Sequence, residues 1–231
     1  MFLAMDTVFD QCSIAILDSS GKVISNQTET GKRQQTQQIL PMIDAALKGN
    51  QLRLADVQAL IFNRGPGAFS GIRINTAVVQ ALSVAQDLPC VAISSLQAIA
   101  QSAYVQHGLT QVYSALDARM QQVYFGHYCL RDGIMQPAPV DAGSMDAADT
   151  EQLLDYDSQT PLNLPIVGNG ASLLKHYDGQ LSYDDINPDA AIIGQLGIAQ
   201  FVASGGTEAA QALPKYLRNQ AWKTLKEQGK A

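Results

Sequence analysis

The sequence contains a glycine-rich turn, Gly65-Pro66-Gly67-Ala68-Phe69-Ser70-Gly71-Ile72-Arg73. An apolar run at 59–62 precedes it and an apolar-faced segment at 74–85 follows it. A strand, a glycine turn and a helix in this order are typical of an anion site, because glycine lets the backbone approach a ligand and the free N–H groups of a helix start attract negative charge. No lysine follows the glycines as a phosphate loop requires, and their spacing is not that of a dinucleotide fingerprint. The pattern resembles a nucleotide loop that lacks the phosphate chemistry.

The composition indicates a globular chain that does not bind nucleic acid tightly by itself. Its 231 residues suit one large domain or two small lobes. The formal net charge is −6, with 15 Lys and Arg against 21 Asp and Glu. Nucleic-acid binding draws much of its affinity from cations placed on phosphates. A role with RNA therefore requires a partner that supplies the cationic surface.

The same sequence predicts a cytoplasmic protein that does not enter a membrane. The residues before Asp6 are too few for a signal peptide, and the apolar region 190–203 is too short to span a bilayer. Cys12, Cys90 and Cys129 are scattered and odd in number, which favours a reducing compartment.

The apolar patterning predicts strands followed by alternating helices and strands in both halves of the chain. This order favours two similar α/β lobes at 1–107 and 108–231, and we expect the C-terminal helix to join the first lobe. We expect a hairpin around residues 117–120, and a loop with one short helix over 136–165. Predicted strands lie within 5–30 and at 59–62, 90–93, 112–116, 123–130 and 164–167; predicted helices lie at 35–48, 74–85, 95–106 and 189–204.

Local signals refine the helix ends. Pro41 should kink the helix at 35–48 or place its start near that residue. Ser70 is predicted as the N-cap of the helix after the glycine turn, and Ser94 or Ser95 as the N-cap of the next helix, which should end at Gly108.

Candidate catalytic groups have structural interpretations that compete with the chemical ones. Asp6-Thr7 could hold a metal-bound nucleotide at the end of the first strand, but such pairs are more often turn caps. Ser70 lacks the flanking glycines of a nucleophile elbow and has no evident base. The spacing of Asp117 and Arg119 within one turn indicates an ion pair rather than a catalytic pair. The three histidines lie far apart in sequence, which disfavours a metal site.

Two predicted helices carry apolar stripes that suit either a core or a helix–helix interface, and periodicity does not separate the two. The stripe of the helix at 74–85 is unusually rich in alanine. Its members are Ile74, Ala77, Val78, Ala81, Leu82 and Ala85; those of the helix at 35–48 are Ile39, Leu40, Ile43, Ala46 and Leu47.

Several motifs, taken in order along nearly the whole chain, resemble the bacterial TsaB (YeaZ) family, which provides a tRNA threonylcarbamoyladenosine biosynthesis protein. The glycine turn and the tail are the most specific of them. The motifs are Asp6-Thr7 with 12–15, 37–41, the turn 65–73, 117–119 with Val123-Tyr124, and 214–218 with Ala221-Trp222-Lys223.

The resemblance implies an actin-like/Hsp70-like ATPase fold, ribonuclease H-like, with two α/β lobes. It implies a non-catalytic paralogue of TsaD, the subunit that transfers a threonylcarbamoyl group to an adenosine next to the anticodon of tRNAs reading codons that start with A. It further implies pairing with TsaD through the early helices, a complex that includes the ATPase TsaE, homodimers when the chain is alone, and contact with tRNA only through the complex.

The resemblance also implies which residues carry the function. In the catalytic paralogue two histidines hold a metal; Ser95 and Ile99 stand at those places, and an isoleucine cannot bind a metal. We expect no catalytic residue, metal or cofactor, and a vestigial nucleotide turn at Asp6, Thr7, Gly65, Gly67, Ser70, Gly71 and Arg73. The expected partner interface consists of Ile39, Leu40, Ile43, Leu47, Ile74, Ala77, Val78, Ala81 and Ala85.

Two positions depart from the family pattern. Gln35 stands where a histidine is common, and Val8 where a small hydroxyl residue is common, which weakens phosphate binding at the first turn. The alternatives to a scaffold subunit are a stand-alone ATPase or kinase that uses the glycine turn, and a protease, for which the sequence offers no nucleophile–base pair.

Overall fold

The computed structural model describes residues 1–31, 34–139, 151–174 and 179–218. The helices are α1 (Gln35–Gly49), α2 (Phe69–Gln86), α3 (Ser95–His107) and α4 (Ala190–Ser204). The strands are β1 (Phe2–Asp6), β2 (Gln11–Leu17), β3 (Val23–Thr30), β4 (Ala59–Gly65), β5 (Cys90–Ser94), β6 (Gln111–Arg119), β7 (Gln122–Arg131), β8 (Ile134–Pro137), β9 (Glu151–Asp155), β10 (Ile166–Val167) and β11 (Ser182–Tyr183).

The first sheet has the strand order β3-β2-β1-β4-β5. β1, β4 and β5 run parallel, whereas β2 is antiparallel to both β1 and β3. β1 and β2 are buried along their whole lengths, as expected for apolar runs with a covering layer on each face. The carboxyl ends of the three parallel strands meet at one edge, where ligands bind in open α/β sheets.

Helices cover both faces of this sheet, and alternate residues of each strand enter different cores. Leu3 and Phe62 pack with α1 and α2 on one face, whereas Ala4 and Ile61 pack with α4 on the other. α4 approaches closely because it presents glycines to the sheet. A β-carbon on Gly197 would lie closer than 3.0 Å to the Ile61 side chain.

The second sheet has the strand order β11-β10-β6-β7-β8. β6 and β7 form an antiparallel pair, which confirms the hairpin predicted around residues 117–120. β9 pairs with the first half of β7, and β8 pairs with its second half.

The two halves of the chain exchange helices. α3 follows the first sheet but packs Leu96, Ile99 and Ala100 into a core with the second sheet. α4 follows the second sheet but packs on the first. The lobe boundary after residue 107 stays a prediction, and residues 219–231, which include the Ala221-Trp222-Lys223 motif, lie outside the described residues.

The structure confirms two of the predicted helix ends. Ser94 is the N-cap of α3, and its side-chain oxygen accepts hydrogen bonds from the backbone N–H groups of Leu96 and Gln97. Gly108 ends the same helix with a φ of 69°, the left-handed conformation that glycine adopts without strain.

Two local predictions were wrong, and one alternative is resolved. α2 is capped by Ala68 and not by Ser70, because the N–H of Ile72 already donates to the carbonyl of Ala68 and the first turn is closed there. The helix predicted at 35–48 is confirmed as α1, which begins at Gln35 and has Pro41 inside it, so the alternative in which Pro41 marks the helix start is excluded. Burial of Met42 and its apolar neighbours beneath the helix outweighs a cost of about 3 kcal/mol for an interior proline.

The second error concerns 136–165, for which a loop with one short helix was predicted. Its described part contains β9, because the open edge of β7 offers backbone groups that a neighbouring segment can pair with. Residues 140–150 of this region lie outside the described residues.

Candidate functional site

The glycine turn lies at the carboxyl edge of the first sheet and packs directly against the β1–β2 turn. The Thr7 hydroxyl donates a 2.7 Å hydrogen bond to the carbonyl of Gly71. A β-carbon on Gly71 would lie closer than 3.0 Å to the carbonyl oxygen of Thr7. The start of α2 is therefore held against the first turn, at a distance that only glycine permits.

Val8 packs directly against the glycine turn at Gly67. The side chain of Val8 is buried, and a β-carbon on Gly67 would lie closer than 3.0 Å to its Cγ1 atom. The Val8 side chain therefore fills the space that a side chain at position 67 would need, and the first turn and the glycine turn pack together here.

Asp6 is fully buried and its oxygens are already occupied by protein groups. Its carboxylate accepts hydrogen bonds from the Val8 N–H at 3.1 Å, the Asn63 amide at 2.8 Å and the Gln11 amide at 3.3 Å. Burial raises the pKa of the Asp6 carboxyl from 3.8 to about 7, although these hydrogen bonds favour the charged form. Asp6 thus ties β1, β2 and β4 together.

Asn63 is the centre of this network. Its side-chain oxygen accepts from the Gly65 N–H at 2.9 Å and from the Ser95 hydroxyl at 2.7 Å. Asn75 of α2 donates to the carbonyls of Met5 and Asn63, which joins the helix to both strand ends. The sequence analysis did not identify these two buried amides. The signals that could have found them are the polar Asn63 within the apolar strand β4 and the polar Asn75 within a helix that carries an apolar stripe.

The predicted vestigial turn is only partly assembled. Asp6, Thr7, Gly65, Gly67 and Gly71 meet at the strand ends, whereas Ser70 and Arg73 lie on the outside of α2. The Arg73 guanidinium lies 3.6 Å from the centre of the Phe69 ring, and its Nε donates to the Tyr216 hydroxyl at 2.9 Å. Arg73 therefore binds aromatic side chains of this chain.

The described residues contain no cluster of three or more His, Cys, Asp or Glu side chains that could hold a metal ion. Ser95 and Ile99 are both fully buried, and the Ser95 hydroxyl is committed to Asn63. His176 lies outside the described residues.

α2 has a mixed buried face and an apolar stripe that is partly exposed. The buried residues are Gly71, Ile72, Asn75, Thr76, Val79 and Ser83. The apolar stripe lies on the opposite side: Ala77, Ala81 and Ala85 are exposed, and Ile74, Val78 and Leu82 are half-buried against α1. Val84 beside the stripe is 76% exposed. A helix of a single subunit normally buries its apolar face, so this face has the composition of a contact surface.

α1 contributes less to this surface than the sequence predicted. Ile39, Ile43 and Leu47 are buried in the core between α1 and the sheet, where no partner can reach them. Leu40 is 53% exposed. The correction has a simple cause: α1 has one apolar stripe, and the sheet already covers it.

Comparison with known proteins shows the family to which the chain belongs. A family model described as TsaD, tRNA N6-adenosine threonylcarbamoyltransferase, matches residues 21–226. The tRNA threonylcarbamoyladenosine biosynthesis protein TsaB of Haemophilus influenzae is 34% identical over 235 residues, covering 96% of this chain and 96% of that protein. Its Escherichia coli counterpart is 32% identical over 238 residues, covering 96% of this chain and 97% of that protein. The chain belongs to the TsaB (YeaZ) family.

A solved structure described as YeaZ from Pseudomonas aeruginosa matches this TsaB-family chain with a TM-score of 0.81 at 32% identity, over 94% of this chain and 99% of that one. The match confirms the predicted α/β fold, which the two sheets and their covering helices show directly. Within the described residues no helix is long and apolar enough to cross a membrane. All three cysteines are buried free thiols.

A cleft of about 550 Å³ opens between the lobes beside the glycine turn. Asp117 and Arg119 lie on its wall and form a 2.7 Å ion pair in which the Arg119 side chain is 86% exposed. The arrangement is the ion pair predicted from the sequence. At that exposure it contributes little to stability.

Proposed function

We propose that this TsaB-family chain is a non-catalytic scaffold that binds and stabilises TsaD in the complex that makes threonylcarbamoyladenosine next to the anticodon of tRNA. The observation that carries the proposal is the exposed alanine-rich stripe of α2. The Asp6 oxygens beside the glycine turn are held by protein groups, which supports a structural role for this turn.

The contact surface we propose consists of Leu40, Ile74, Ala77, Val78, Ala81 and Ala85, with Val84 at its edge. Alanines let a partner helix approach closely, so that ridges and grooves can interdigitate. The larger exposed side chains supply hydrophobic free energy. Burying Leu40 or Val84 against a partner would contribute about 1–2 kcal/mol each.

The same surface accounts for a homodimer when the chain is alone, because two copies of the stripe can pack against one another. TsaD and a second copy would then compete for one face. TsaE would join the assembled complex, and tRNA would be bound through the complex, since the net charge of −6 disfavours direct contact. We place the complex in the cytoplasm.

A charge on the stripe tests the proposal. Ala81→Glu puts a carboxylate on the exposed face of α2 without touching the core, and Ala203→Glu is the matched control on an exposed alanine of α4, on the other side of the sheet. The first variant should lose co-purification with TsaD and the modification activity of the reconstituted complex, whereas the control should keep both. Retained binding by a folded Ala81→Glu protein would refute the interface.

A further inference from the structure

A separate pocket of about 480 Å³ lies between the lobes at the β5 edge of the first sheet. The ends of β4 and β5, the segment after α4, and strands of the second sheet form its walls. Its polar lining includes Arg64, Ser94, Tyr128, Glu151, Gln200 and Lys215. None of these side chains lines the cleft beside the glycine turn.

Glu151 supplies the negative charge of the pocket, and protein groups compensate it. Its side chain is 6% exposed, and its Oε2 atom lies 3.3 Å from the Lys215 ammonium. Its Oε1 atom accepts hydrogen bonds from the hydroxyls of Ser94 and Tyr128. Among the described residues Oε2 accepts no hydrogen bond, so the charge of Glu151 is compensated by its ion pair with Lys215 and by the two hydroxyl groups on Oε1.

Arg64 is the uncompensated charge. Among the described residues no carboxylate lies within ion-pairing distance of its guanidinium, and its buried Nε atom has no hydrogen-bond partner. The backbone holds it in place, because the Lys215 N–H donates a 2.9 Å hydrogen bond to the Arg64 carbonyl. A half-buried guanidinium whose buried Nε–H has no protein partner would gain a charge-assisted hydrogen bond from an anion that enters the pocket.

We propose that this pocket binds a small organic carboxylate that pairs with the Arg64 guanidinium. The planar fork of arginine matches the two oxygens of a carboxylate. A dianion such as phosphate is disfavoured, because the buried Glu151 carboxylate lines the same pocket. Amide groups of Gln200 and Gln211 on the wall suit a polar body attached to the carboxylate. This site lies apart from the scaffold surface and does not depend on it.

The test is an NMR titration of the full-length protein with acetate as the probe, at constant ionic strength, with chloride and inorganic phosphate as comparison anions. Acetate should shift the Arg64 Nε–H signal and the side-chain amide signal of Gln211 saturably, whereas chloride should not and phosphate should act more weakly. A linear response to acetate, or equal affinity for phosphate, would overturn the proposal.

Variants locate the binding. Arg64→Gln should abolish the saturable shift at Gln211, and Arg131→Gln, on an exposed arginine at the end of β7, should leave it unchanged. Arg64→Lys keeps the charge but loses the fork, and should weaken acetate about tenfold. The Arg64→Lys variant tests the proposal if the Arg64→Gln protein does not fold. Unchanged affinity in Arg64→Lys would refute pairing through the guanidinium.

Discussion

The Cγ1 atom of Val8 fills the position beside Gly67 where any β-carbon would have to stand. One residue comes from the first turn of the chain and the other from the glycine turn, so the two turns interlock. In an anion site the glycine leaves room for a ligand. Here it leaves room for a valine of the same chain, and the turn positions α2.

Gly67→Ala should therefore destabilise the protein by about 1–3 kcal/mol, because the new methyl group meets a stiff β-branched side chain in a packed site. The measurement is the free energy of unfolding in urea. Gly49→Ala, at the open end of α1 with nothing within 4 Å of the new carbon, is the matched control and should be neutral or stabilising.

Adding Val8→Ala to Gly67→Ala should recover part of the lost stability, so the two changes should couple favourably in a double-mutant cycle. Additive effects would show that the two side-chain positions do not interlock.

Asp6 should make the protein less stable as the pH rises from about 4 to about 7. Its carboxyl has a folded pKa of about 7 against 3.8 for the free group, so over this window the folded state keeps a proton that the unfolded state has lost. The contribution of Asp6 to the unfolding free energy is then full below pH 4 and falls by about 1.4 kcal/mol per pH unit at most.

The unfolding free energies of the wild type and Asp6→Asn, measured across this window, isolate the effect because other titrating groups cancel in the difference. The stability of the wild type relative to Asp6→Asn should decline with rising pH. A flat or rising difference would mean that Asp6 is ionised throughout.

Periodicity predicted most elements of the fold, since the apolar runs of β1, β4 and β5 and the stripes of the helices are local patterns. β9 was not predicted, because this segment forms a strand by pairing with the open edge of β7, which lies more than twenty residues earlier in the sequence. Pairing of this kind depends on tertiary neighbours and leaves little trace in a short segment.

The position of the candidate site was predictable from the sequence, but the side-chain contacts within it were not. The glycine turn marked the sheet edge correctly. The sequence does not contain the distances between segments that place Val8 against Gly67 and that let Asn63 and Asn75 join the strand ends to α2. Likewise the stripes of α1 and α2 look alike in sequence, and only the structure shows that the sheet covers Ile43 and leaves Ala81 exposed.

Glutamate substitutions at those two positions should behave differently for this reason. Ile43→Glu buries an unpaired carboxylate in a core site that is 4% exposed, and should cost about 4 kcal/mol or more, enough to unfold many domains of this size. Ala81→Glu should change the stability of the free chain by less than about 0.5 kcal/mol. Thermal unfolding of the two purified variants measures the contrast, and a well-folded Ile43→Glu protein would contradict the assignment of α1 to the core.

Magnesium-ATP should not bind saturably to the isolated protein. The Asp6 oxygens are committed to Val8, Asn63 and Gln11, and the turn lacks the lysine of a phosphate loop. Isothermal titration calorimetry of the full-length chain checks this, and Val8→Gly, which removes the side chain packed against Gly67, shows whether that contact limits binding. Tight binding by the wild type would favour the stand-alone ATPase or kinase and would contradict a scaffold that catalyses nothing.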